Sequence, residues 1–298
     1  MRLHQRFDVQ ADTFDERAGL SQAVARAVAR AVIEHGARGP HDLVVELGAA
    51  TGAVGVHLAA SQACYLGVDL SRPMLKVFAM RDARQRDGAE HDSARDRPWL
   101  VQADCERAWP VRDRAAAIVF ASRLVHLLDA SHVSREAARV CRPGGCLLVG
   151  RVVRDPRSAR ERLRREKQRL LVERGLEPRR GAAGTRRLLD DCMRRGAQPL
   201  PSRVAAAWTS SATAERVLSD WAVLPGMGGA SIGSTMQAAI LEDLWAWARR
   251  ELGDLRQPEP CGEQYVLEGV RFGHPEPPTT DGAKSGFVHV RLLRVMSD

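Results

Sequence analysis

Short, continuously apolar runs alternate with helically spaced segments through the first half of the chain. Leu43-Val44-Val45, Cys64-Tyr65-Leu66-Gly67-Val68, Trp99-Leu100-Val101, Ala115 to Ala121 and Cys146-Leu147-Leu148-Val149 are too short for helices and show no polar alternation. Strands of a parallel sheet, covered on both faces, have this character. Between them, Leu20, Val24, Val28 and Val32 recur at intervals of four and predict a helix over 11–35, capped from Asp12-Thr13 and ended at His35-Gly36. Ala53 to Ala60, Ser71 to about Arg86 and Ser134 to Val140 read as further helices. Residues 87–97 read as a polar loop, and Arg142-Pro143-Gly144-Gly145 as a turn. Five strands alternating with helices predict an α/β fold with a doubly wound parallel sheet.

The alternation stops after the fifth strand. Residues 154–255 read as helical: Arg157 to Glu173 is dense in arginine and glutamate, as a solvated helix face is, and Leu188, Leu189, Cys192 and Met193 form an apolar stripe. Trp208, Trp221, Trp245 and Trp247 fall in this half, and Gly226 to Gly233 reads as a mobile loop. Tyr265 to Phe272 and Phe287 to Leu293 predict two strands of a closing antiparallel hairpin. The expected organisation is a core at 1–153, a helical lid or substrate-binding insertion at 154–255, and a hairpin at 256–298.

Composition changes this picture little. The chain of 298 residues can bury a sizeable core. It has no run of 18 apolar residues, and Met1 to Asp8 lacks the apolar core of a signal segment, so neither a membrane span nor export is expected. Six cysteines form no CxxC pair and sit mostly in apolar contexts, which fits reduced thiols in a cytoplasm. A net charge of +8 would suit nucleic acid, but the second-half arginines are interleaved with acids. A small-molecule partner is therefore expected ahead of nucleic acid. The oligomeric state is not legible.

The chemistry lies at the strand ends. The first strand ends on Glu46, and Gly48 and Gly52 open a turn into a helix, the arrangement of a nucleotide-binding crossover. The second ends on Asp69, about where that architecture holds a ribose diol. Glu46-x-Gly48-x-x-x-Gly52 followed by Gly67-Val68-Asp69-Leu70-Ser71-x-x-Met74-Leu75 resembles the class I S-adenosylmethionine-dependent methyltransferases, in particular the type-11 or ubiquinone/menaquinone-methyltransferase-like group. Asp104-Cys105 after the third strand, His126-Leu127-Leu128-Asp129 after the fourth and Arg139-x-x-Arg142-Pro143-Gly144-Gly145 before the fifth extend the likeness over roughly residues 11–153. The family usually has glycine where this chain has Ala50.

The resemblance implies a seven-stranded, Rossmann-like methyltransferase fold with a helical insertion after strand five, and S-adenosyl-L-methionine as cofactor. Glu46, Leu47, Gly48, Ala49, Thr51 and Gly52 would hold its methionine half. Asp69, with Leu70 and Met74, would hold the ribose. Ala103, Asp104 and Cys105 would meet the adenine, with Ala121 and Ser122 at the fourth strand's exit and Phe14 folding over the cofactor. His126 is the candidate general base. Arg17, Arg123, Arg151, Trp208 and Trp221 are the candidate acceptor contacts.

Methyl transfer from a sulfonium is an in-line displacement that positioning and desolvation can drive. No metal site is expected: HExxH and paired CxxC are absent, as is a Gly-x-Ser-x-Gly elbow. Three readings stay open: methylation of a small molecule, methylation of RNA or an RNA-associated protein, and cofactor binding without turnover. The identity of the acceptor and of its methylated atom is not legible.

Overall fold

The computed structural model describes residues 8, 11–36, 39, 41–61, 64–86, 98–176, 181–223, 226–227 and 232–273. The element order begins α1 (Phe14–Ala18), α2 (Gln22–Gly36), β1 (Leu43–Leu47), α3 (Gly55–Ala59), β2 (Cys64–Asp69), α4 (Arg72–Arg86), β3 (Trp99–Gln102) and β4 (Ala116–Ser122). A 3-10 turn at Val125–Leu127 follows, then α5 (Ala130–Val140), β5 (Cys141–Arg154), α6 (Ala159–Glu173), α7 (Gly181–Arg194), β6 (Gln198–Ala212), α8 (Ala214–Ala222), α9 (Ser234–Glu251) and β7 (Glu259–Arg271). The seven strands form one sheet in the order β3-β2-β1-β4-β5-β7-β6, with β1 to β5 parallel. The backbone pairs Gly144 with Phe272 and Asp155 with Gly262, so β7 runs antiparallel to β5. The doubly wound α/β sheet of the sequence reading is present, and it is mixed.

The apolar strands are buried on both faces because helices cover both. Val45, Leu47, Leu66, Val68, Val119, Ala121, Leu147 and Val149 pack with Val133, Ala137 and Val140 of α5 and with Leu188 and Cys192 of α7. Neighbouring strand positions Val44, Tyr65, Ile118 and Phe120 are equally buried, and α2, α3 and α4 lie against these strands.

Several elements differ from expectation. The single helix over 11–35 is two helices. It breaks at Gly19, whose N–H donates to the Asp15 carbonyl at 2.8 Å. A Cβ at Gly19 would lie 2.3 Å from that oxygen, so only glycine fits there. The turn expected at Arg142–Gly145 is present as an interruption within a longer β5: Ala116 pairs with Cys141 and Ile118 with Cys146, and Gly144 is left-handed at φ 78°. His126 sits in a 3-10 turn.

The largest correction is β6, a 15-residue strand inside the region expected to be helical. Pro199 and Pro201 and a run of alanines hide it in the sequence. It lies at the sheet's edge, where a residue without an N–H costs no ladder bond. The sheet is thus completed by β6 and β7. The second strand of the expected hairpin, Phe287 to Leu293, lies outside the described residues, as do the 87–97 loop and most of the glycine-rich segment at 226–233.

The chain divides into two compact units. The first comprises Met1–Arg151, Ala182–Ala205 and Leu267–Asp298, and the second comprises Val152–Gly181 and Ala206–Val266. This differs from the partition at 153 and 255, because α7 and the first half of β6 pack with the sheet core rather than with an insertion. The second unit has its own core of Leu163, Leu170 and Leu171 from α6, Val217 and Leu218 from α8, and Ile240 and Leu244 from α9. Among the described residues no helix is long and apolar enough to cross a membrane.

Candidate functional site

The strand register decides what meets at one edge of the sheet. Val101, Val68, Leu47, Ala121 and Val149 lie level across β3, β2, β1, β4 and β5. The chain therefore leaves five parallel strands at nearly one height. Gly48, Asp69 and Ser122 emerge side by side, with Ala103, Asp104 and Cys105 close behind Gln102. This is the carboxyl edge, where ligands bind in open α/β sheets.

The turn after β1 is held in left-handed backbone by three residues, Gly48 (φ 65°), Ala50 (φ 47°) and Gly52 (φ 76°). The sequence alone suggests that the glycines clear room for a ligand. The space a Cβ would need is instead filled from within the protein. At Gly48 it would meet Leu124 at 2.9 Å, and at Gly52 the Phe78 ring at 2.3 Å. The glycines let those side chains pack under the turn and so fix its shape.

Ala50 holds its conformation without that advantage. A left-handed residue with a Cβ costs ~1–2 kcal/mol, and here the Ala50 N–H donates to Asp69 Oδ2 at 2.9 Å. Ala50→Gly should therefore raise stability by ~1 kcal/mol, a Tm increase of about 2–4 °C in a thermal unfolding scan. An unchanged or lower Tm would mean that the turn is not strained at this position.

Asp69 ties the turn to the second strand. Its other oxygen accepts from the Ser71 N–H at 2.8 Å. Burial pushes its carboxyl above the usual range, while the Ser71 and Ala50 N–H groups oppose the shift. A carboxylate offers about four acceptor positions, so capacity remains for a vicinal diol. Asp104 is more exposed; Oδ1 accepts from the Glu106 N–H at 2.9 Å and Oδ2 lies 3.8 Å from Arg107. It keeps acceptor capacity of the kind an exocyclic amine needs. These two groups, at the ends of adjacent strands, fit a ribose and an adenine.

Other candidates act from beneath. Glu46 is 2% exposed and accepts from the Tyr65 hydroxyl at 2.5 Å. Burial pushes its carboxyl up to about 8, with the Tyr65 bond opposing and Asp69 adding to the rise. Leu47, Met74, Ala121 and Cys105 are sealed in the core. Burial raises the Cys105 thiol to about 12, against a hydrogen bond from the Gly48 N–H. What these residues offer is support for the turn. Ala49 is also buried, its N–H donating to the Val68 carbonyl at 3.0 Å, and Leu70 is half-buried beside Asp69.

Thr51 shows a connection that the sequence does not announce. Its hydroxyl donates to Asp15 Oδ1 at 2.7 Å, and Asp15 Oδ2 is engaged by Arg81 of α4. A short N-terminal helix is thereby fastened to the turn through a buried threonine. Asp15 stands in the Phe14-Asp15-Glu16-Arg17 segment, in which the family resemblance implies a role for Phe14, and Arg17 is a candidate acceptor contact. Phe14 is half-buried on α1, and the Arg17 side chain lies outside the described residues. The signal for Asp15 was the acid itself; nothing in the sequence points to Arg81.

At the fourth strand's exit, Arg123 has φ 54° and donates its N–H to the Gly150 carbonyl at 2.8 Å. A left-handed arginine next to Ser122 turns the chain sharply, and strained residues cluster at sites of function. His126 follows, exposed, with Gly184 of α7 packed near its backbone. Arg151 continues past this edge on β5, but it is committed to Glu268 at 2.7 Å. The pair lines a cavity of about 230 Å³ with Thr185, Leu189 and Val270. Trp208 and Trp221 belong to the second unit, on β6 and α8. Among the described residues, no group of three or more His, Cys, Asp or Glu side chains could hold a metal ion.

Comparison with known proteins agrees with this geometry. Residues 45–149 match the family model described as a methyltransferase domain. Among solved structures, a Bacillus halodurans C-125 protein provisionally named a methyltransferase is 16% identical, with a TM-score of 0.53, over 83% of this chain and 99% of that one. The YcgJ protein of Bacillus subtilis is 15% identical, with a TM-score of 0.50, over 85% and 99%. At these identities the likeness is one of fold. No curated protein sequence matches the chain.

Proposed function

We propose, on the premise that residues 45–149 match a methyltransferase domain, that the chain is a class I S-adenosylmethionine-dependent methyltransferase that methylates a small organic molecule by in-line displacement without a metal. The observation that carries the reading is the levelled carboxyl edge, where the strained turn, Asp69, Asp104, Ser122 and the strained Arg123 emerge together. S-adenosylmethionine supplies a methyl group on a positively charged sulfur, already activated for transfer.

The chain's own residues supply binding, orientation and a proton acceptor. Asp69 receives the ribose hydroxyls and Asp104 the adenine amine. The turn at Gly48–Gly52, backed by Glu46, Leu124 and Phe78, presents the methionine half. Ser122 and Arg123 stand where the acceptor would approach, and exposed His126 accepts a proton from an acceptor that must lose one.

On the arginine-rich helix, Arg164 is engaged by Glu161 and Arg169 by Glu166 and Glu173, so acids interrupt any continuous basic track along it, which favours this reading over RNA. Calorimetric titration should give micromolar binding of S-adenosylmethionine and S-adenosylhomocysteine, and turnover with small acceptors but not with RNA. His126→Ala should lower kcat by ~10²-fold or more with cofactor affinity unchanged, the loss typical of a general base. An unaltered kcat would remove the base from the scheme. Absence of cofactor binding by the folded protein would overturn the proposed site.

A further inference from the structure

The second unit carries an excess of positive charge that its own carboxylates do not match. Arg160, Arg164 and Lys167 stand at i, i+4 and i+7 on α6, which sets them along one face of the helix. Arg154, near the end of β5, acts on Arg160, and Arg160 and Arg164 act on Lys167. The other arginines of this helix are satisfied: Arg162 donates to the Glu251 carbonyl, Arg165 to the Pro156 carbonyl, and Arg169 to two glutamates.

Arg160 and Lys167 are not. Among the described residues, neither forms an ion pair or a hydrogen bond. The Lys167 ammonium lies instead over the Trp221 ring, 3.4 Å from its centroid. Arg154 adds a buried Nε with no hydrogen-bond partner, 3.4 Å from Glu263 Oε1. That oxygen is occupied by the Ser210 hydroxyl at 2.7 Å. Asp220, which also acts on Arg160, is engaged by Arg216.

Setting Arg154, Arg160, Arg164 and Lys167 against Glu161 and Glu263 leaves two uncompensated positive charges. Like charges on a half-buried face repel, and burial without a partner is costly. The mutual opposition shows in Lys167, whose ammonium is pushed down to about 8 by burial first, then by Arg164 and Arg160. An anion with two charges and several acceptor oxygens would relieve all of it, and guanidinium forks suit phosphate oxygens.

We propose that Arg154, Arg160, Arg164 and Lys167 form a binding site for a dianionic phosphate group. The site rests on side chains of the second unit alone and stands independently of the cofactor site.

The test is a thermal unfolding series on the full chain at low ionic strength, with no cofactor, using inorganic phosphate, hexyl phosphate and chloride of matched ionic strength. Phosphate should raise the Tm well beyond chloride, and a titration should show saturation. A larger rise with hexyl phosphate identifies a phosphate ester as the ligand, and an equal rise identifies the free ion; both support the site. Arg160→Met and Lys167→Met should weaken phosphate binding at least tenfold. Each should also be more stable than the wild type without phosphate, because a repelling charge is gone. Arg249→Gln, whose guanidinium packs on Trp245 elsewhere in the unit, should leave binding unchanged. A phosphate effect no larger than that of chloride, or one that both Met variants retain, overturns the proposal.

Discussion

Asp69→Ala will abolish S-adenosylmethionine binding and will also destabilise the free protein. The two effects have different origins. The carboxylate accepts from Ala50 and Ser71 N–H at 2.9 and 2.8 Å. Hydrogen bonds to a charged group contribute ~1.5–3 kcal/mol each, so losing both should cost ~3 kcal/mol or more in urea unfolding. It also releases Ala50, whose left-handed backbone has this bond to hold it. Affinity for the cofactor should fall at least 100-fold, about 2.7 kcal/mol, since the diol acceptor and the turn are lost together. Asp104→Ala separates the two. Its carboxylate makes only a local turn bond and a loose pair with Arg107, so affinity should fall about tenfold with stability unchanged. Calorimetry on both variants decides the matter: an Asp69→Ala protein that stays folded and binds as the wild type does would show that the ribose is read elsewhere.

Gly52→Ala should be the most disruptive single methyl group that can be added to the turn. The backbone there has φ 76°, which alone costs an alanine ~1–2 kcal/mol. The new Cβ would then lie 2.3–2.7 Å from three carbons of the Phe78 ring, which is fully buried and has nowhere to go. Overpacking of this kind costs a further ~1–3 kcal/mol. A loss of ~3 kcal/mol or more is expected, with cofactor binding lost in whatever fraction folds. Phe78→Ala should cost ~3–5 kcal/mol through the cavity it leaves. In the double variant the clash disappears, so the two costs should fall short of their sum by ~1–2 kcal/mol. Strict additivity would mean that Phe78 does not pack under Gly52.

Much of this could be read without coordinates. Apolar runs with no polar alternation, too short for helices and bounded by turn residues, read as strands covered on both faces, and their alternation with helices argues for a parallel, doubly wound sheet. Glu46, the glycines, Asp69 and Asp104 fall at strand ends, and a parallel sheet sends every strand end to the same edge; the cofactor roles of Glu46 and Asp104 are what the family resemblance implies. Local chemistry is enough for such inferences. Ser71 reads as the cap of α4, and in the structure its hydroxyl accepts from the Met74 N–H at 3.4 Å.

What the sequence left open depends on contacts between distant residues. β6 carries prolines that argue against a strand until its place at the sheet's edge is known. The break at Gly19 depends on one carbonyl oxygen, that of Asp15. The turn's glycines look like clearance for a ligand, and only the positions of Leu124 and Phe78 reveal packing. Thr51, Asp15 and Arg81 come from three separate segments and meet through α1 and α4 folding onto the turn. The unmatched charge on α6 is hidden for the same reason. The segment from Arg157 to Glu173 interleaves arginines with three glutamates, and only the rotamers decide which arginines the glutamates reach. Backbone pattern is written in nearest neighbours along the chain, whereas side-chain partnership is decided by three-dimensional proximity and burial.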